Sequence, residues 1–231
     1  MTIIKAKGIH TTAASFLAEG SEVFARATRD GALFTADWFV AQALAGNVFS
    51  INAGILTTPI STTTGGLVDG TQDVLINVPS GTTIIPIRLG VNFEDTGTAD
   101  VLEVLAVASA IYDNANTSTA LTIMNMRSDK PKGSACSAMY VVSANGTAVE
   151  TGNFVEFWRP YAGKVEDAFN SSTGFKNQYV HGAFWNANTA VIPPIITGPG
   201  SLSIYAAGQA ATGFLTAIWV ELPTTALVDA N

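Results

Sequence analysis

A chain of 231 residues is long enough to bury a core without disulfide staples and could be one large β-domain or two small ones. Charged residues make up 13% of it, about half the share usual in a soluble domain, hydrophobic residues make up 48%, and the formal net charge is −7. The 11 Lys and Arg are scattered, with no basic run at either end, which argues against direct nucleic-acid binding and against an anionic membrane surface.

The first 45 residues read differently from the rest. Residues 11–19 suit a short helix or an extended arm, and Glu22–Ala27 a strand or a turn of helix. Residues 36–45 are the best helix candidate: they are rich in Ala, Thr35 or Asp37 is placed to cap the start, Gly46 to stop the end, and Phe39, Ala43 and Leu44 sit at helical spacing. We expect residues 1–45 to form an N-terminal arm with contacts outside the β-core, and residues 46–231 to form a β-sandwich. Met1–Lys7 lacks the long apolar run of a secretory leader, so synthesis and retention in a cytoplasm are expected. No run of about 18 or more apolar residues predicts a membrane-spanning helix.

From Asn47 the pattern turns to strands. Phe49–Leu56 alternates; Pro59 and Thr62-Thr63-Thr64-Gly65-Gly66 break it; Asp73–Val78 follows. Pro79-Ser80-Gly81 predicts a turn, with Gly in the left-handed position. Thr82–Phe93 reads as a long β-branched strand in which Pro86 marks an edge or a bulge. Val101–Tyr112 reads as a strand rather than a helix, because Val, Ile and Tyr dominate. Further strands are predicted over Thr119–Met126, Ala135–Ser143, Asn153–Tyr161, Tyr179–Trp185 and Val191–Ile196, with Asn145-Gly146 as a tight turn and residues 165–176 as a surface excursion. Leu202–Ala207 and Thr212–Leu222 are expected to pair as a hairpin around residues 208–211. Some eight to ten strands with short turns predict an all-β fold: a jelly-roll-like antiparallel sandwich with an N-terminal arm containing a short helix.

Signals for chemistry are sparse. His10 and His181 stand alone, and no HxH, HExxH or CxxC occurs, so the usual zinc ligand sets are missing. No G-x-S-x-G elbow supports a serine triad. Glu94-Asp95, Asp100 with Glu103, and Glu166-Asp167 are the carboxylate neighbours; a glycosidase needs two facing across a cleft, whereas these fall at strand ends and loops where solvated charge is the ordinary state. Asp113-Asn114-Ala115-Asn116 has calcium-type oxygens but no EF-hand spacing. Gly65-Gly66 and Thr197-Gly198-Pro199-Gly200 are turns, with no Gly-Lys-Ser/Thr to make a phosphate loop. The sequons at Asn116, Asn145 and Asn170 are expected by chance in an Asn/Ser/Thr-rich chain. Cys136, the single cysteine, sits among small residues and reads as a buried structural thiol. Trp158, Tyr161, Phe184 and Trp185 could form a sugar platform, although core and subunit packing is the favoured use. We therefore expect no catalytic residues, no metal site and no cofactor.

Arg29-Asp30-Gly31-Ala32, Asp37-Trp38, Ala45–Phe49, Gly54 and Thr57–Ile60 resemble the opening of small tailed-phage virion proteins. Val78–Pro86, Gly213-Phe214 and Ala217–Leu222 carry the likeness through the rest of the chain. The family it resembles is the jelly-roll cement, or decoration, protein of short-tailed bacteriophage capsids. That resemblance implies a homotrimer on the virion surface, its arm reaching over the major capsid protein, with no catalytic residue to carry over. Apolar strands such as Thr82–Phe93, Val101–Tyr112 and Phe214–Leu222 are expected to pack around the trimer axis. The major capsid protein itself, a tail-fibre or spike head that binds a receptor or glycan, and a glycan hydrolase are the alternatives.

Overall fold

The computed structural model describes residues 37–55, 57–62, 70–95, 101–112, 118–129, 131–140, 152–166, 178–180, 182–188, 191–207 and 211–226. His10, Gly65-Gly66, Asp100, residues 113–116, Asn145-Gly146, His181 and the three sequon asparagines lie outside them. The first element among the described residues is helix α1 (Trp38–Ala45), where the side chain of Asp37 accepts a hydrogen bond from the Phe39 N–H at 2.8 Å and Gly46 closes the end at φ 75°. The next strands are β1 (Val48–Ala53), β2 (Ile60–Ser61), β3 (Val74–Val78), β4 (Thr82–Asp95) and β5 (Val101–Ser109). Then come β6 (Thr119–Leu121), β7 (Met124–Asn125), β8 (Ser137–Tyr140), β9 (Phe154–Trp158) and β10 (Tyr161–Glu166). The last are β11 (Gln178–Val180), β12 (Ala183–Asn186), β13 (Ile196–Thr197), β14 (Gly200–Ala207) and β15 (Thr212–Pro223).

Two antiparallel sheets result. One runs β12-β4-β15-β1-β7, with β13 beside β4 and β2 beside β15; the other runs β11-β10-β5-β14-β3-β8-β6, with β9 beside β5. Take β1, β3, β4, β5, β10, β12, β14 and β15 in chain order. The first, eighth, third and sixth are neighbours in one sheet, and the second, seventh, fourth and fifth in the other. That alternation between two facing sheets is the jelly-roll order, so the expected fold class is the one adopted. The core lies between the sheets, with Phe49, Leu89, Leu215 and Trp219 from one and Ile76, Leu102, Leu202 and Ile204 from the other. Period-two alternation puts every second residue of β15 there.

Several local expectations give way to this topology. β14 and β15 do not pair as a hairpin. β14 lies between β3 and β5, and β15 lies in the opposite sheet between β1 and β4. Hydrophobic alternation marks a strand but says nothing of its partner. Thr119–Met126 splits into β6 and β7, and Tyr179–Trp185 into β11 and β12, the pieces of each joining opposite sheets. The excursion predicted from residue 165 begins within β10, which runs to Glu166. Val191–Ile196 is no strand: Pro193 and Pro194 have no N–H to give a ladder, and only β13 forms at its end.

Pro86 marks a bulge rather than an edge. The pairing steps from Ile218 opposite Arg88 to Trp219 opposite Pro86, so Ile87 is an extra residue in a strand flanked on both sides. Pro79-Ser80-Gly81 turns as expected, with Gly81 at φ 82°. The two-sided apolar strands find their second cover within the chain. Phe39 and Ala43 of α1 pack on Val48, Ile85, Val220 and Leu222, the outer side of the first sheet. At β15 this helix covers the outward Val220 and Leu222, while Phe214 stays partly exposed.

Candidate functional site

The main exposed apolar feature comes from a loop. Between β12 and β13, Asn188 and Val191 exchange backbone hydrogen bonds of 3.2 and 3.1 Å, and the Asn188 side chain accepts a further bond from the Val191 N–H at 3.0 Å. That closes a tight turn, after which Pro193-Pro194 holds the chain extended at fixed φ. Ile192, 88% exposed, and Ile195 are left projecting. Across from them runs β9, which pairs only with β5 among the described residues, and its Phe154 and Val155 are exposed as well. Between loop and strand lies a groove of about 700 Å³, floored by Ala108 and Ser109, and among the described residues none that lines it is ionisable. Such a groove has no group to move a proton or stabilise a developing charge. It can bury apolar surface, and it exposes strand backbone at a sheet edge.

Of the carboxylates singled out in the sequence, Glu94 and Glu103 have described side chains, and they belong to opposite sheets. Glu94 is exposed at the end of β4, and Glu103 on β5 is drawn into an ion-pair network in which Arg159 bonds both Glu103 and Glu156. The Arg159 hydrogen bond holds Glu156 below the usual carboxylate range. The network pins the β9–β10 connection to β5 and engages both Glu103 and Glu156. The side chains of Asp95, Glu166 and Asp167 lie outside the described residues. Among the described residues no three of His, Cys, Asp and Glu come together as a metal site, and no helix is long and apolar enough to cross a membrane.

The aromatic platform does not assemble. Phe184 and Trp185 point to opposite faces of β12; Trp185 is buried edge-to-face on Phe157 at 5.1 Å, while Phe184 is exposed with the Arg88 guanidinium 4.9 Å over its ring. Trp158 packs against the core, and Tyr161 stands exposed on β10, in the other sheet.

Cys136 is buried, as expected, but beside a group the sequence reading passed over. Glu221 of β15, itself buried, accepts hydrogen bonds from the Ser134 hydroxyl at 2.6 Å and the Ala135 N–H at 2.8 Å. Burial first, and the Glu221 carboxylate second, push the Cys136 thiol far above its ordinary value. The thiol stays protonated and is a poor nucleophile. In the unfolded chain it ionises above pH of about 8.5, so the native state then holds the extra proton and stability falls as pH rises, by up to about 1.4 kcal/mol per pH unit. Between pH 9 and 10.5 the wild type should lose about 1–2 kcal/mol more than Cys136→Ala in urea unfolding. Equal slopes for the two proteins would contradict this. The signal that could have found Glu221 is one charge inside the apolar run Ala217–Leu222; the signal for the projecting loop is a Pro pair inside Val191–Ile196.

No protein-family model matches the chain, and no curated protein matches it in sequence.

Proposed function

We propose that the protein is a virion structural component: a capsid cement, or decoration, protein that forms a homotrimer and stabilises a short-tailed phage head by binding its major capsid protein. The observation that carries this reading is the non-ionisable groove at Ile192, Ile195, Phe154 and Val155, an apolar surface in a chain with few charges to keep it soluble. A second copy of the chain covers it, through apolar and strand-edge contacts. The jelly-roll order supports the reading, since capsid proteins use that fold, although lectins do too. Catalysis is no part of the proposal, and no observation favours a glycan site, because Trp158, Tyr161, Phe184 and Trp185 stay apart.

A cement acts by binding the assembled shell and not its parts, which stabilises the shell by mass action, and many identical contacts add through multivalency. Phage particles with and without the protein, heated or osmotically shocked at low and high salt, provide the test. Particles that carry it should release their genome later, with little dependence on salt because the contact is mainly apolar. Equal release from both preparations would remove the cement role and put receptor binding first.

A further inference from the structure

A closed trimer cannot be built from one self-matching patch. Rotation about a threefold axis sets one surface of each copy on a different surface of the next, so a projection at one place needs a recess at another. The loop that carries Ile192 and Ile195 is the projection. A recess lies on the outer face of the β12-β4-β15-β1-β7 sheet, beyond the end that α1 covers, as an open groove of about 670 Å³. Strand register lays out its floor. Met124, Ser50, Ile218 and Arg88 form one row across β7, β1, β15 and β4. Asn52, Thr216, Gly90 and Phe184 form the next, across β1, β15, β4 and β12. Gly90 keeps the middle low: a Cβ there would lie 2.7 Å from the Thr216 hydroxyl and 3.1 Å from the Phe184 ring. Met124 and Phe184, both exposed, stand as walls on either side. Arg88 lies over the Phe184 ring and has no carboxylate paired to it among the described residues.

We propose that the loop of residues 191–195 of one copy seats in this groove of the next, with Ile192 against Met124 and Pro193-Pro194 on the Phe184 ring. The inference rests on the homotrimer proposed above and names the two unlike surfaces that close it. Three observations converge. The shapes match, since a narrow floor between an adaptable Met and an aromatic ring takes an extended apolar segment, and a Pro pair suits an aromatic-walled groove. The polar groups match as well: Pro193 and Pro194 offer carbonyls and no N–H, while Arg88 brings only N–H donors. Residues 187–203 contain no charged residue, so the contact sets no like charges together although each chain carries −7. The third observation is position. β12 carries Phe184 and runs on into the loop, so projection and recess share one border of the sheet. Surfaces at opposite ends of a molecule stack copies into an open filament, whereas neighbouring ones turn the chain of contacts back on itself.

Cysteine cross-linking of the full-length protein tests this, with a short bismaleimide at a concentration where light scattering finds the wild type associated. Ile195→Cys and Met124→Cys in one chain should link copies into dimers and trimers on a denaturing gel, up to three times 24.0 kDa. Either substitution alone should leave the band at 24.0 kDa, because like positions lie apart around a threefold axis. Cys136 stays out of the reaction, since its buried thiol is held protonated, and the wild type is the control. Both sites are exposed, so the variants should keep the wild-type circular dichroism. Met124→Asp should weaken association by about 100-fold. Linking by Ile195→Cys alone would mean that loop meets loop about a twofold axis, and would overturn the proposal. So would an associated double variant that stays unlinked, or Met124→Asp at the wild-type mass; either would leave the homotrimer standing on a different contact. A wild type that is monomeric would remove the homotrimer itself, and this inference with it.

Discussion

Trp219→Ala is expected to cost about 3–5 kcal/mol of folding stability. The residue is fully buried in β15, between β1 and β4, and its ring stacks on Phe49, its cross-strand partner, with centroids 6.3 Å apart. Truncation leaves a void in the middle of the sandwich, bounded by strands of both sheets that cannot close on it without breaking their ladders. Trp219→Phe should cost far less, about 1 kcal/mol, because the indole Nε1 has no hydrogen-bond acceptor among the described residues and its loss orphans no partner. Urea unfolding of the three proteins would measure this. Similar losses for Ala and Phe would mean that a hydrogen bond to the indole, and not its volume, is what holds the site. A stability of 5–15 kcal/mol is ordinary for a domain, so about 4 kcal/mol is enough to leave the Ala variant marginal.

Ile192→Asp is expected to dissociate the protein into monomers without destabilising the chain. The side chain is 88% exposed, so the isolated fold loses nothing, whereas at an interface each copy would bury an unpaired carboxylate. Association should weaken by about 100-fold or more. Light scattering should find the wild type near three times 24.0 kDa and the variant near 24.0 kDa, with unchanged far-UV circular dichroism and a thermal midpoint lowered only by the lost association. Ile55→Asp, exposed on a different turn, is the control and should stay associated. If Ile192→Asp keeps the wild-type mass, or the wild type is itself a monomer at micromolar concentration, the groove is no self-association surface. The same variant should lose its protection of particles in the shock assay, which links the groove to the shell-stabilising role.

The elements of the fold were readable where local chemistry decides them. Asp37 and Gly46 delimit α1 because the unpaired N–H groups and carbonyls of a helix end are met by residues nearby in the chain. Val74–Val78, Thr82–Asp95, Val101–Ser109 and Thr212–Pro223 are strands because β-branched and aromatic residues fit a pleated surface, and that requirement is written residue by residue. The burial of Cys136 and the turn at Gly81 belong to the same class. So does the all-β class itself, which follows from the count and spacing of such segments.

Partnership was decided elsewhere. β14 and β15 are neighbours in sequence with matching alternation, yet each finds partners far away in sequence, in opposite sheets, because strand pairing is chosen by which faces can be buried together once two sheets form. Glu221 became the buried partner of Ser134 and Ala135 only because β15 and the segment before β8 meet at one end of the sandwich. Val220 and Leu222, outward on β15, are covered by α1, a contact that only the folded chain brings about. An exposed apolar surface lies instead at a Pro-Pro loop and an edge strand, brought together from residues 154–155 and 192–195. Sequence alone determined most of the strand segments, since strand preference is a local property of side chains. Tertiary structure alone decided which apolar surface stays open, because exposure is what remains after every strand has found its neighbours.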